Sequence, residues 1–193
     1  MDFFFSDNHN FDKKKFFNLI KNCNKILDFG CGKGAIDLKK NSKKKLYLYD
    51  KNLNLFKYLK LKYKKNKNYI VLKKPKFKNI DVVLLNSVIQ YMDENQFTKL
   101  ISKIVNNKIK IVIFSDISKF CRVIEAIILI LVNPKKLIKG LQYIFIKEYR
   151  KMGFYYRSLN DLTNMFKKNY KIKILKNLND DKITRYTILL KIK

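Results

Sequence analysis

Residues 26–34 read Ile-Leu-Asp-Phe-Gly-Cys-Gly-Lys-Gly, and the fold turns on this stretch. A short apolar run contains one acidic residue, and glycine then falls at every second position, at Gly30, Gly32 and Gly34. The pattern predicts a buried strand over 25–29 that turns sharply toward a helix while its backbone stays open to a nucleotide-like ligand. A Cβ at these places would block both the tight turn and the approach of a ligand to the main chain. About twenty residues on, where nucleotide-binding units place a second acid, the apolar run Leu46 to Tyr49 ends in Asp50. A carboxylate at the end of a second strand is placed to accept hydrogen bonds from two ribose hydroxyls. The two signals together predict a nucleoside cofactor.

Outward from this point the chain alternates between strand and helix. Phe11 to Asn22 reads as a leading helix with Phe16, Phe17 and Ile20 on one side. A short helix is expected from the glycine loop to about Lys40. Leu53, Phe56 and Leu59 continue at helical spacing, so a helix is expected to about Tyr63, followed by a short strand over 69–72. Residues 80–86 form a continuous apolar run of the kind found in a parallel strand covered on both faces. Asp93 and Gln96 resemble a capping box, and Phe97, Leu100, Ile101, Ile104 and Val105 then give a clear amphipathic helix. A further buried strand is expected over 109–114, ending at Ser115-Asp116. Ser158 and Asp161 open a last helix with Leu162, Met165 and Phe166 on its face. Two strands over 170–175 and 183–192 follow, joined by Asn179 to Lys182. Such alternation predicts parallel crossovers in an α/β domain.

The segment Lys119–Arg157 exceeds a minimal domain of this kind. Phe120, Val123, Ile124, Ile127, Ile128 and Leu131 recur at helical spacing, and a second helix is expected after Asn133-Pro134. The apolar run is too short, and too interrupted by Arg122 and Glu125, to span a bilayer. It reads as a helical insertion at 119–157 within one domain covering 1–193. Extra core or dimer surface, a cap over a substrate pocket, and membrane docking through Lys135, Lys136 and Lys139 are all open readings of it.

Composition narrows the class. The chain has 193 residues, 47% of them apolar, enough for one domain with a sizeable core. Cys23, Cys31 and Cys121 are widely spaced and read as free thiols in a reducing compartment, so a cytoplasmic location is expected. His9 is the only histidine, and a lone histidine in a polar leader is read as exposed. No metal-ligand constellation is present in the sequence. The net charge of +29 points toward nucleic acid or an anionic membrane surface. Lysine far outnumbers arginine, however, as very AT-rich coding dictates, and lysine lacks the bidentate fork suited to phosphates and base edges. A nucleic-acid partner is therefore not favoured, and peripheral membrane contact is a second reading of the charge.

Gly30, Gly32 and Ala35 also satisfy the looser G-x-G-x-x-G/A spacing of dinucleotide sites. Asp28 argues against a pyrophosphate there, since a carboxylate at the loop mouth suits an ammonium group better. The segment instead resembles motif I of the class I S-adenosylmethionine-dependent methyltransferases, an acidic residue followed by x-G-x-G-x-G. The resemblance continues at Asp50, which matches that family's ribose-binding acid, and at Asp81–Met92, which looks like its fourth strand and following loop. It covers roughly the first 115 residues, three elements in matching order.

The resemblance implies a Rossmann-like, doubly wound, mostly parallel seven-stranded sheet with a C-terminal antiparallel hairpin. It implies S-adenosylmethionine as cofactor, with Asp28 orienting the glycine loop and the methionine ammonium. Gly30, Cys31, Gly32 and Gly34 would border the methionine and ribose. Asp50 would hold the ribose hydroxyls, with Lys51 and Asn52 beside it, and Asn86 would face the transferred methyl. The family's acid near the adenine is missing, since Leu72-Lys73-Lys74-Pro75 stands there. Asn86 is not followed by the Pro-Pro-aromatic sequence of nucleic-acid N-methylating enzymes, and no cysteine stands where an RNA carbon-5 methyltransferase needs one. These absences favour a small-molecule or glycan acceptor. Asn86–Tyr91 and Phe114–Ile117 resemble the corresponding segments of small O-methyltransferases acting on sugars or other metabolites, which implies methylation on oxygen, with Asp116 the first candidate base and Tyr91 the second. An RNA methyltransferase, and a non-catalytic methyltransferase-like subunit that binds a partner through the helical insertion, are the alternatives.

Overall fold

The computed structural model describes residues 13–34, 36, 38, 42–117, 157, 159–175 and 185–193. Seven strands form one sheet: β1 (Lys25–Phe29), β2 (Lys45–Tyr49), β3 (Tyr69–Leu72), β4 (Val82–Asn86), β5 (Ile111–Ile117), β6 (Tyr170–Leu175) and β7 (Arg185–Ile192). Their order across the sheet is β3-β2-β1-β4-β5-β7-β6. The first five pair in parallel, and β7 runs antiparallel between β5 and β6. The doubly wound sheet with a C-terminal antiparallel pair is thus observed. The helices are α1 (Lys13–Leu19), α2 (Leu53–Lys62), α3 (Glu94–Asn106) and α4 (Leu159–Phe166). The predicted insertion at 119–157, Cys121, His9, and most of the helix expected before Lys40 lie outside the described residues; Arg157, at the insertion's end, is described.

The strands read as continuous apolar runs because both faces of the sheet are covered. Leu27, Val83, Leu85, Val112 and Phe114 meet α3 and α4 through Phe97, Ile104, Leu162 and Phe166. On the opposite face, Ile26, Leu46, Leu48, Leu84 and Ile113 meet Phe16 and Ile20 near α1 and Leu59 of α2. Alternation along each strand sends successive side chains to the two cores.

Two strands begin later than their apolar runs suggest. Ile80 is buried but sits in a turn, its N–H donating to the Phe77 carbonyl at 3.2 Å, and β4 starts at Val82. Ile109 is likewise buried but closes α3. Lys108 takes φ 48°, its N–H donates to the Val105 carbonyl at 2.9 Å, and the Ile109 N–H donates to the Ile104 carbonyl at 3.3 Å. This is a Schellman cap with its hydrophobic contact, built on lysine where glycine is usual. At the other end of the same helix, the Asp93 side chain accepts from the Gln96 N–H at 2.7 Å, the cap that the sequence signals. β5 runs on to Ile117 because β7 offers it partners as far as Arg185.

β1 is the point where the winding reverses. Its neighbours are β2 on one side and β4 on the other. The chain leaves β1 and β4 in opposite directions, so the loops after them open a crevice at the strands' carboxyl ends.

Candidate functional site

The crevice holds a cavity of about 540 Å³, of the size that small ligands occupy. Its floor and walls come from three strand ends. β1 contributes Phe29 and Gly30, β2 contributes Tyr49 and the residues that follow it, and the segment after β4 contributes Ser87, Val88, Tyr91 and Met92.

The glycine loop folds back over the end of β2. The N–H groups of Gly30 and Cys31 both donate to the Tyr49 carbonyl, at 2.7 and 3.1 Å. The Gly32 N–H then donates to the Asp50 carboxylate at 3.0 Å, and the Asn52 N–H donates to its other oxygen at 2.9 Å. Asp50 is therefore fixed by two main-chain donors from two different segments. A carboxylate has about four acceptor sites, and this arrangement uses two. The Asn52 side chain caps α2 by accepting from the Asn54 N–H at 2.9 Å.

All three glycines of the loop have φ between 53° and 75°, a region costly for other residues. Their surroundings differ. A Cβ on Gly30 would lie 2.3 Å from a methyl of Val88, so this position is closed by packing. A Cβ on Gly32 would meet nothing within 4 Å. The loop is shaped there around open space. Beyond it, α2 and its C-terminal end brace the exit of the loop: the Tyr63 hydroxyl donates to the Gly34 carbonyl at 3.2 Å, and Lys62 Nζ donates to the Lys33 carbonyl at 2.9 Å.

Asp28 lies in β1 between Leu48 and Leu84 and is 4% exposed. Burial, with the nearby Asp50 charge adding to it, pushes its carboxyl up to about 7. Burial also pushes the Cys31 thiol up, with Asp28 and Asp50 reinforcing it, which favours the neutral thiol. Asn86 ends β4, and its buried side-chain oxygen has no hydrogen-bond partner; the same holds for the Gln90 side-chain oxygen. Both lie next to residues of the β4 exit that line the cavity, Ser87 and Tyr91, but neither lines it itself.

Of the residues that the sequence singles out, Gly30, Asp50, Lys51, Asn52 and Tyr91 line the cavity, and Asn86 does not. Asp28, Cys31, Gly32 and Gly34 stand in or just behind the loop that frames it. Asp116 is on β5 opposite Tyr186, and its side chain lies outside the described residues. Two features carry no sequence motif. The apolar wall of Phe29, Tyr49, Leu55, Met92 and Leu100 draws on four separate segments. The other is Arg157, whose side chain is 7% exposed. Its guanidinium donates to the carbonyls of Ile89 at 2.9 Å, Met92 at 3.0 Å and Asp93 at 3.3 Å, and to the Glu94 carboxylate at 3.1 Å. It also lies 3.9 Å over the Phe97 ring. One side chain thus pins the segment that carries Tyr91 and Met92.

No protein-family model and no curated protein sequence matches the chain. Solved structures do. The chain is similar to the methyltransferase domain of bacterial CtHen1, with a TM-score of 0.65 at 15% identity over 96% of this chain and 100% of that one. It is similar to a SAM-dependent methyltransferase from Archaeoglobus fulgidus, with a TM-score of 0.61 at 13% identity over 92% of this chain and 90% of that one. It is also similar to magnesium protoporphyrin IX methyltransferase from Synechocystis PCC 6803 with bound SAH, with a TM-score of 0.63 at 12% identity over 93% and 80% of the two chains. By strand order, glycine loop and these likenesses, the chain has the fold of the class I S-adenosylmethionine-dependent methyltransferases.

Proposed function

We propose that the protein binds S-adenosylmethionine in this crevice and transfers its methyl group to a small-molecule or glycan acceptor, on oxygen. The observation that carries the reading is Asp50. Its two oxygens are each anchored by one backbone N–H, which leaves acceptor capacity on both for a pair of vicinal hydroxyls at the edge of the cavity. The open space at Gly32 fits the same ligand. Asp28 fits an ammonium group beside the loop, since a cation would draw its buried carboxyl into the ionised form.

When bound, the cofactor supplies a strongly electrophilic methyl. The protein then has to hold an acceptor in line with it and keep water out. The wall of Phe29, Val88, Met92 and Leu100 supplies the apolar, water-poor side. Asp116 and Tyr91 are the candidates for taking the acceptor's proton, as a general base within hydrogen-bond reach would. A glycan or metabolite acceptor is in keeping with the missing Pro-Pro-aromatic sequence after Asn86.

Calorimetric titration with S-adenosylmethionine and S-adenosylhomocysteine, with NAD as control, tests the cofactor. Micromolar binding of the first two but not of NAD is expected, with at least a tenfold loss in Asp50→Ala, about the value of a charge-assisted hydrogen bond. Unchanged affinity in Asp50→Ala would overturn the assignment. Binding in the wild type then justifies an acceptor screen that begins with sugars.

A further inference from the structure

Helix α2 does not look like a helix made to face water alone. Its buried contact rests on Leu59, with Leu55 and Phe56 half-buried. Among its outward residues, Leu53 is 62% exposed, Tyr58 45% and Leu61 76%. At 100° per residue, Leu53, Lys57 and Leu61 stand one above another on the outer face, with Tyr58 beside them. α3 provides the contrast within the same molecule. Every exposed position along it is polar: Glu94, Asn95, Gln96, Thr98, Lys99, Ser102, Lys103 and Asn106.

The charge around α2 is equally one-sided. From Lys51 to Ile80 the chain carries eleven lysines and no acidic residue, and all eleven lysines are exposed. This stretch is α2, the turn after it, the edge strand β3 and the loop beyond, which together make up one end of the sheet. Coding bias accounts for lysine in place of arginine. It does not account for two outward leucines and a tyrosine set among the lysines.

We propose that this end of the molecule docks on an anionic lipid bilayer, with Leu53, Tyr58 and Leu61 entering the headgroup–acyl boundary and the lysines meeting the lipid charges. The pairing of apolar side chains with lysine stems is what an interfacial helix uses. Anionic headgroups supply the complement to a cluster of more than four basic residues. A polynucleotide would use the charge but gains nothing from exposed leucine, and the patch contains no arginine for bidentate phosphate contacts. Docking would leave the cavity at the bilayer's edge, because Lys51, Asn52 and Leu55 of the same segment line it. The inference does not depend on methyl transfer, and its test needs no cofactor.

The test is co-sedimentation of the full chain with phosphatidylcholine vesicles, with and without about a third phosphatidylserine, near physiological salt. Binding to the phosphatidylserine vesicles alone is expected. A Leu53→Ser/Leu61→Ser variant should bind them about tenfold more weakly or worse, given the apolar area it removes. Both positions are exposed, so its melting temperature should match the wild type, which separates lost docking from lost folding. Lys57→Gln/Lys60→Gln should weaken binding and flatten its salt dependence. Equal binding by the double-serine variant would overturn the proposal. So would absence of vesicle binding in the wild type, a dimer whose interface is α2, or leucine-independent binding to single-stranded RNA that displaces the protein from vesicles.

Discussion

Single residues of the glycine loop do different work, and substitution separates them. At Gly30 a Cβ collides with Val88 at 2.3 Å, and the φ of 75° adds strain. Gly30→Ala is expected to destabilise the fold by about 3 kcal/mol, the scale of overpacking plus an αL penalty. At Gly32 only the φ of 53° is at stake, so Gly32→Ala should cost about 1 kcal/mol and leave a folded protein. The same methyl would occupy the open space of the loop, and binding of S-adenosylhomocysteine should fall at least tenfold, as expected when a ligand loses close backbone approach. Thermal melting and titration of the two variants check this; a folded Gly32→Ala protein with full affinity would place the ligand elsewhere. Asp28 makes a pH prediction. Its folded carboxyl is raised from the ordinary aspartate value to about 7, first by burial and then by Asp50. A raised folded value means that the native state holds the proton more tightly than the unfolded chain does. The associated stability is complete below about pH 4 and is lost as the pH rises toward about 7, at most about 4 kcal/mol. Asp28→Asn keeps the shape without the titration. The ligand-free variant should therefore gain on the wild type as pH rises from 4 to 7, measured by urea denaturation, and a constant difference between the two would contradict the buried ionisation.

Elements show how far sequence reaches. β1, β3 and β6 are bounded as their apolar runs imply, and α3 is announced by its cap and its periodic face. The errors at β4 and β5 share one cause. Ile80 and Ile109 are apolar because the core needs them, but hydrophobicity marks burial and not backbone conformation, and both sit in turns. The half of the candidate site made by the glycine loop and Asp50 was legible because three positive-φ turns favour glycine and a carboxylate ends the strand beside them, accepting from the Gly32 N–H. The apolar wall was not, because Phe29, Leu55, Met92 and Leu100 are ordinary core residue types that become a wall only once four segments meet. Arg157 is the sharper case, since a long-range clamp on backbone carbonyls leaves no local pattern. Its planar fork reaches three carbonyls and a carboxylate while stacking on Phe97. Lysine has the charge but not the fork. Arg157→Lys is expected to cost about 2 kcal/mol in urea denaturation. It should raise amide hydrogen exchange across 88–93 more than within α3. Uniform exchange across both would show that Arg157 stabilises the domain without specifically holding the cavity wall.

Over the whole molecule the sheet order and the charge pull on different properties. Continuous apolar runs predicted covered parallel strands, and the C-terminal pair was expected to run antiparallel. The docking order of that pair follows from side-chain pattern too: β7 buries Thr187 to Leu190 in succession and takes the interior place, while β6 alternates lysine with apolar residues and takes the edge. Charge leaves no mark on this topology, but it does act on stability. Forty-four basic residues against fifteen acidic ones give +29 on one domain, and compaction brings these charges together. Raising sodium chloride from about 0.01 M to about 0.15 M shortens the Debye length from about 30 Å to about 8 Å. The melting temperature should therefore rise by a few degrees over that range. Vesicle docking through α2 should respond in the opposite direction, because the same salt screens lysine from lipid. If melting and docking were instead to rise together with salt, both would be governed by apolar burial, and the lysines around α2 would be no more than a solvated coat.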